Sequence, residues 1–115
     1  MKATVTLDLF SGRPNPEWSL SSDDARSLVD ALLRLPHSAN KPPAPPGLGY
    51  RGVLVEISRP EGAAEYRLFG GYAVGGDRHM VDHDRLLEQW LIQSGASAGG
   101  DEVHPDMIKQ ILDQF

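Results

Sequence analysis

The densest group of side chains able to do chemistry lies in the segment GGDRHMVDHD, residues 75–84. His79 and His83 are four residues apart, a spacing that places both imidazoles on one face if the segment is helical. Asp77 lies close by, and neutral imidazole together with carboxylate suits zinc or a similar divalent ion. Histidine also has an unperturbed pKa near neutrality, as a proton carrier requires. The spacing therefore predicts Asp77, His79 and His83 as metal ligands, or His79 and His83 as catalytic residues.

A plainer interpretation of the same segment is a loop followed by a helix cap. A helix that begins near Asp82 leaves His79 outside it, and aspartate is favoured at that position because it accepts hydrogen bonds from the first backbone amides. The glutamate that follows the first histidine in the metalloprotease arrangement is also missing. We therefore expect no cofactor, with a divalent metal as the alternative.

The segment LFSGRPNPEWSL, residues 9–20, is the second candidate site. Arg13 and Asn15 each come directly before a proline, which favours an extended backbone and a stiff loop. A guanidinium held in such a loop is suited to grip a carboxylate or phosphate. We predict Arg13, Asn15 and Trp18 as ligand-binding or partner-binding residues. The alternative is a rigid connector in which Trp18 fills the core.

Alternating apolar and polar residues predict the strands that must position these groups. The pattern favours strands over residues 3–10 and 17–20, and a hairpin whose arms flank the segment RPEGAA. Gly70 and Gly71 indicate a bulge or break in its second arm. The residues predicted to share one face of that arm are Tyr66, Leu68, Tyr72 and Val74.

Helical signals fall in three places. Ser21 is a predicted cap for a helix over about residues 22–35, and a second helix is expected over about 83–94 with Leu86, Leu87, Trp90 and Leu91 as its apolar stripe. Pro105 begins a short C-terminal helix, which must pack on this chain or another because it is too short to be stable alone. We predict an α+β domain over 1–94, a flexible linker over 95–104, and that helix over 105–115.

The expected fold is a single two-layer domain, in which two main helices and the short C-terminal helix accompany a mostly antiparallel sheet. The second face of this sheet would then carry Phe10, Leu54 and Phe69 among charged residues such as Arg67. Large apolar groups that lie together on a surface are typical of partner or self-association sites.

Composition and charge narrow the classes of function. The chain of 115 residues has 40% apolar and 23% charged residues, no cysteine, and a net charge of −5. Residues 73–115 carry three basic and eight acidic side chains, so they supply the whole excess. An acidic half disfavours nucleic acid and biases the chain toward a basic partner. No segment is a secretory signal or long enough to cross a bilayer, and we expect a cytoplasmic location.

These patterns favour a small binding or accessory protein over an enzyme. It would act as an interaction, inhibitor or immunity-like module through the outer sheet face or the rigid loop, either with a protein partner or as a homodimer. The alternative is a small metal-assisted or acid–base enzyme centred on Asp77, His79 and His83, with Arg13 and Asn15 orienting a polar substrate. A third interpretation is a structural subunit of a larger assembly.

Overall fold

The structure, a computed structural model, is an α+β domain, and the part of the chain that it describes forms one sheet and three helices. It describes residues 1–9, 15–42, 44, 49–76, 78–98, 105–113 and 115. The strands are β1 (Lys2–Leu7), β2 (Glu17–Ser19), β3 (Val53–Arg59), β4 (Gly62–Phe69), β5 (Tyr72–Gly75) and β6 (Arg78–Val81). The helices are α1 (Ser22–Arg34), α2 (Leu86–Ala98), which follows a 3-10 turn at His83–Arg85, and α3 (Pro105–Leu112). The predicted fold class is confirmed.

All six strands form one antiparallel sheet in the order β2-β1-β3-β4-β5-β6. Successive side chains of a strand point to opposite faces, so each strand contributes to two different surfaces. The inner face is buried against the helices and carries residues such as Val5, Val55, Leu68 and Met80. The helices complete this core through Leu28 of α1, Leu91 of α2 and Ile108 and Ile111 of α3, among others. The C-terminal helix therefore packs on its own chain.

The second arm of the predicted hairpin is two strands joined by a tight turn, so the break expected at Gly70 and Gly71 is confirmed, and it is a turn and not a bulge. Phe69 pairs with Tyr72, and the two glycines between them have φ values of 62° and 94°. Both values lie in the left-handed region that glycine tolerates best, as a two-residue hairpin turn requires. This register places Ala73 opposite Leu68 on the inner face. Tyr72 and Val74 therefore lie on the outer face, opposite to our prediction.

Strand β6 was not predicted from the sequence, where residues 75–84 were interpreted as a loop followed by the cap of the helix over about 83–94. It pairs with β5, and its other edge is covered because Ser38 donates its backbone amide to the His79 carbonyl at 2.8 Å. The amide of Val81 likewise donates to the Pro36 carbonyl at 2.8 Å. Residues 36–38 thus close this edge of the sheet, which would otherwise present unpaired backbone groups.

Helix α2 continues to Ala98, past the predicted end before Gly95 and into the predicted linker. Gly95 is buried, and a Cβ there would lie 2.7 Å from Cη2 of Trp18. The glycine therefore permits a close approach of helix and sheet instead of ending the helix. No helix in the described parts of the chain is both long enough and apolar enough to span a membrane.

Candidate functional site

The two histidines of the predicted metal or catalytic site lie in different elements. His79 is in β6, on the outer face of the sheet opposite Val74, so the helical spacing that linked it to His83 does not exist. The side chain of His83 is 86% exposed and its Nε2 lies 3.4 Å from the carboxylate of its neighbour Asp84. Among the described residues no three His, Asp or Glu side chains lie close enough to hold a metal ion. Asp77 is outside the described residues.

The opening loop is described only from Asn15 onward, and Phe10 and Arg13 lie outside the described residues. The side-chain oxygen of Asn15 accepts a hydrogen bond from the backbone amide of Leu9 at 2.9 Å. Asn15 therefore braces the loop. Trp18 is only 4% exposed and its Nε1 donates to Oγ of Ser94 at 2.9 Å. Trp18 is a core residue, as the connector interpretation expected.

The remaining predicted residues come together on the outer face of the sheet. Leu54 lies directly opposite Arg67 in the β3–β4 register, and Arg67 lies opposite Val74 in the next pair. A cavity of about 260 Å³ opens over β4, β5 and β6, bordered on one side by Lys41, Pro42 and Ala44. We call this cavity the basic cleft; it is lined by Lys41, Pro42, Ala44, Arg67, Phe69, Tyr72, Val74 and His79.

Arg67 is held in the basic cleft by a fixed set of acceptors. Its Nη1 donates to Oδ2 of Asp8 and to the backbone carbonyl of Arg51, both at 2.8 Å. Asp8 is itself fixed, because its backbone amide donates to the Gly52 carbonyl and its own carbonyl accepts from Arg51. Both of these hydrogen bonds use Nη1, and the side chain of Arg67 is 31% exposed. A guanidinium held in this way can bind a carboxylate at little entropic cost.

The other side of the outer face has the opposite charge. Glu56 and Glu65 lie directly opposite each other on β3 and β4, and both are exposed. Glu17, on β2, lines the same shallow depression with Thr4 and Thr6. Like charges placed directly opposite on neighbouring strands are destabilising. We call Glu17, Glu56 and Glu65 the acidic half of the outer face.

A buried network of charged groups, which the sequence analysis did not find, lies next to the basic cleft. Glu88 is fully buried and receives a hydrogen bond from the hydroxyl of Tyr50. Arg85 donates to both oxygens of this carboxylate, at 3.0 Å and 2.9 Å. Burial raises the pKa of Tyr50 well above its ordinary value, and the adjoining carboxylate of Glu88 adds to the effect. The hydrogen bond to Glu88 raises the pKa of Arg85.

The backbone at Arg85 is strained in order to form this network. Asp84 and Arg85 have φ values of 55° and 58°, which non-glycine residues adopt at a cost of about 1–3 kcal/mol each. The turn is stabilised by Asp82, whose carboxylate accepts from the amides of Leu87 and Glu88 at 2.9 Å. The guanidinium carbon of Arg85 lies 3.7 Å from the centre of the Phe115 ring.

Phe69 connects the buried network to the basic cleft. Its ring packs edge-on against Tyr50 with centroids 5.8 Å apart, and it also lines the cleft. The guanidinium carbon of Arg85 lies 5.6 Å from its centre. The groups of the network are satisfied by one another, so we assign the network the role of holding the floor of the cleft in place.

A third feature is an apolar groove of about 410 Å³ between α1 and α2. Its lining includes Ala31, Leu35, Leu86 and Trp90. Its polar residues are Ser27, His83 and Asp82, and the carboxylate of Asp82 is already bonded to the start of α2. The groove therefore carries little chemistry that would select a ligand.

Comparison with protein-family models, with curated proteins and with solved structures finds no match for this chain. Its function must therefore be inferred from the chemistry of its own surface.

Proposed function

We propose that this protein is a small protein-binding module that recognises an acidic side chain beside an apolar one, using the basic cleft. The observation that carries the proposal is the composition of the cleft. Lys41 and Arg67 supply positive charge at its wall, while Phe69, Tyr72 and Val74 supply an apolar floor. A partner segment of acidic and apolar side chains matches both parts, because charge complementarity selects the partner and buried apolar area stabilises the complex.

The charges that line the cleft favour an acidic partner, whereas the sequence predicted a basic one. The acidic C-terminal region favoured a basic partner, but none of its acidic side chains that the structure describes lines the cleft. Lys41 is exposed and forms no ion pair with any described residue. We therefore propose an acidic segment as the partner at this surface. A reducing, cytoplasmic setting is part of the same proposal, and a chain without cysteine is compatible with it.

The test is a titration of isotope-labelled protein with two short peptides, acetyl-Glu-Leu-Glu-amide and acetyl-Gln-Leu-Gln-amide. We expect the acidic peptide to shift the backbone amide signals of Arg67, Phe69, Tyr72, Val74 and His79. Added salt should weaken binding, because exposed charges are screened. The neutral peptide should bind at least several-fold more weakly.

A matched pair of lysine variants controls for general charge effects. Lys41→Ala removes a cation of the cleft, whereas Lys109→Ala removes an exposed cation of α3. We expect the first to weaken binding of the acidic peptide by about threefold or more, as for the loss of one exposed charge pair, and the second to leave it unchanged. Equal affinity for both peptides, or equal effects of both variants, would refute the proposal.

A further inference from the structure

The outer face of the sheet carries both a basic cleft and the kind of group that the cleft is built to bind. The acidic half lies over β1, β2, β3 and the adjoining part of β4, and the basic cleft lies over β4, β5 and β6. Leu54 lies between them, two residues from Glu56 on the same strand and directly opposite Arg67. An acidic side chain next to an apolar one is therefore present on the chain itself.

We infer that the partner of the outer face is a second copy of this chain, paired face to face about a two-fold axis. This inference rests on the proposed function. An axis that lies in the interface, along the boundary between the two halves, places the acidic half of each copy on the basic cleft of the other. Each contact then occurs twice, as in any isologous dimer.

Repulsion between like charges within each half of the outer face favours association of two copies. Glu56 and Glu65 face each other across β3 and β4, and neither forms an ion pair with a described residue. Lys41 is equally without an ionic partner in the described part of the chain. Pairing brings these opposite charges together and relieves the repulsion between the two glutamates.

The size of the face sets the strength of the expected dimer. The six strands contain 32 residues, and a rise of about 3.3 Å per residue with strands about 4.8 Å apart gives a face of roughly 500 Å². Two such faces bury about 1,000 Å² in total, which is at the lower end for specific complexes. The dimer should therefore be reversible and of micromolar affinity, and it should dissociate as salt is added.

Charge-reversal variants test the pairing directly. We expect wild-type protein to dimerise with concentration in sedimentation velocity experiments. Lys41→Glu places a negative charge in the cleft of each copy, which repels the acidic half of the other copy. The double variant Glu56→Lys with Glu65→Lys places positive charges in the acidic half, which repel the basic cleft of the other copy. Each should weaken the dimer about tenfold or more, because opposed like charges are costly at an interface. An equimolar mixture should restore it, since both contacts of the mixed dimer are then attractive.

The absence of cysteine allows an independent geometric check. Lys41→Cys and Glu65→Cys each introduce a single thiol into a chain that has none. Mixed together under mild oxidation, the two variants should cross-link to each other faster than either cross-links to itself. All the altered side chains are exposed, and circular dichroism checks that each variant is folded.

The outcomes separate this inference from the proposed function. A wild-type chain that stays monomeric while it binds the acidic peptide overturns the dimer and leaves the proposed function in place. If the charge-reversal variants dimerise with the affinity of the wild type, or if their mixture fails to restore association, this inference is also overturned. A monomer that binds neither itself nor the peptide overturns both.

Discussion

The contact between Gly95 and Trp18 gives a prediction whose sign is opposite to that of helix propensity. In a helix interior, alanine is favoured over glycine by about 1 kcal/mol. A Cβ at Gly95, however, would lie 2.7 Å, 2.8 Å and 3.1 Å from Cη2, Cζ2 and Cε2 of Trp18. The indole cannot easily move away, because it is buried and its Nε1 is bonded to Ser94.

Gly95→Ala should therefore destabilise the protein. Overpacking a well-packed core costs about 1–3 kcal/mol. Subtracting the gain of about 1 kcal/mol in helix propensity leaves a net loss of about 1 kcal/mol in the free energy of unfolding. For a domain of this size that lowers the melting temperature by about 4 °C. The measurement is urea denaturation followed by circular dichroism, with thermal melting as a second probe.

Two further variants show whether the tryptophan is the cause. Ala96→Gly, at the exposed neighbouring position of α2, reports propensity alone and should cost about 1 kcal/mol. In a Trp18→Phe background the ring atoms that clash are gone, so Gly95→Ala should become neutral or stabilising. The coupling between the two sites should be about 1–2 kcal/mol. A Gly95→Ala protein that is more stable than wild type would show that the helix is not pressed against Trp18 in this way.

Three other predictions concern the groups that support the cleft. Asp82→Ala removes the carboxylate that caps α2 and should lower the free energy of unfolding by about 1–2 kcal/mol in urea denaturation. The control is Asp23→Ala, at an exposed position of α1, which should change the free energy of unfolding by less than about 0.5 kcal/mol. Burial raises the pKa of Tyr50, so the tyrosine hydroxyl loses its proton at lower pH in the unfolded chain than in the folded one. The free energy of unfolding should therefore fall as pH rises above about 10, by up to about 1.4 kcal/mol per pH unit. Tyr50→Phe should remove that part of the pH slope, and an unchanged slope would contradict the burial. Asp8→Asn removes the charged acceptor of Arg67 and should lower the free energy of unfolding by about 1 kcal/mol, because Arg67 is partly exposed. The variant should also bind the acidic peptide more weakly. Normal binding by the variant would mean that Asp8 does not position Arg67.

The elements with strong local signals could be predicted from the sequence. Helix α1 begins at Ser22 as expected, because Ser21 accepts the backbone amide of Asp24 at 3.1 Å. Alternation similarly predicted β1 and β2. In contrast, β6 contains only one side chain that points into the core, Met80, so its sequence has no clear alternation. Its backbone is bonded to β5 on one side and to residues 36–38 on the other, and the second of these pairings is not evident from local pattern.

The apolar face of α2 was predicted correctly at Leu87 and Leu91, which are buried, and at the half-buried Trp90, but not at Leu86. Leu86, placed in the predicted apolar stripe, is 63% exposed, while Glu88 and Ile92 are fully buried. Both Leu86 and Ile92 are apolar, so hydrophobicity alone does not choose between the two faces. The choice depends on Tyr50 and Arg85, which satisfy the charge of Glu88, and on Gly95, which lets Trp18 approach. Glu88 lies one helical turn before Ile92 and therefore on the same face of α2. Its burial could not be predicted from local sequence, because its partner Tyr50 is 38 residues away.

The outer face of the sheet is where the departure from ordinary structure is most informative. An antiparallel sheet covered on one side by helices normally shows polar residues on the other. The half formed by β1 and β3 follows this rule, with Thr4, Thr6 and Glu56 facing outward. The half formed by β4 and β5 does not, because Phe69, Tyr72 and Val74 occupy solvent-side positions and the charged network beneath Tyr50 holds Phe69 in place. This half-buried apolar surface lies beside Lys41 and the ion-paired Arg67, and the partner that we propose would cover it with matching charge and apolar area.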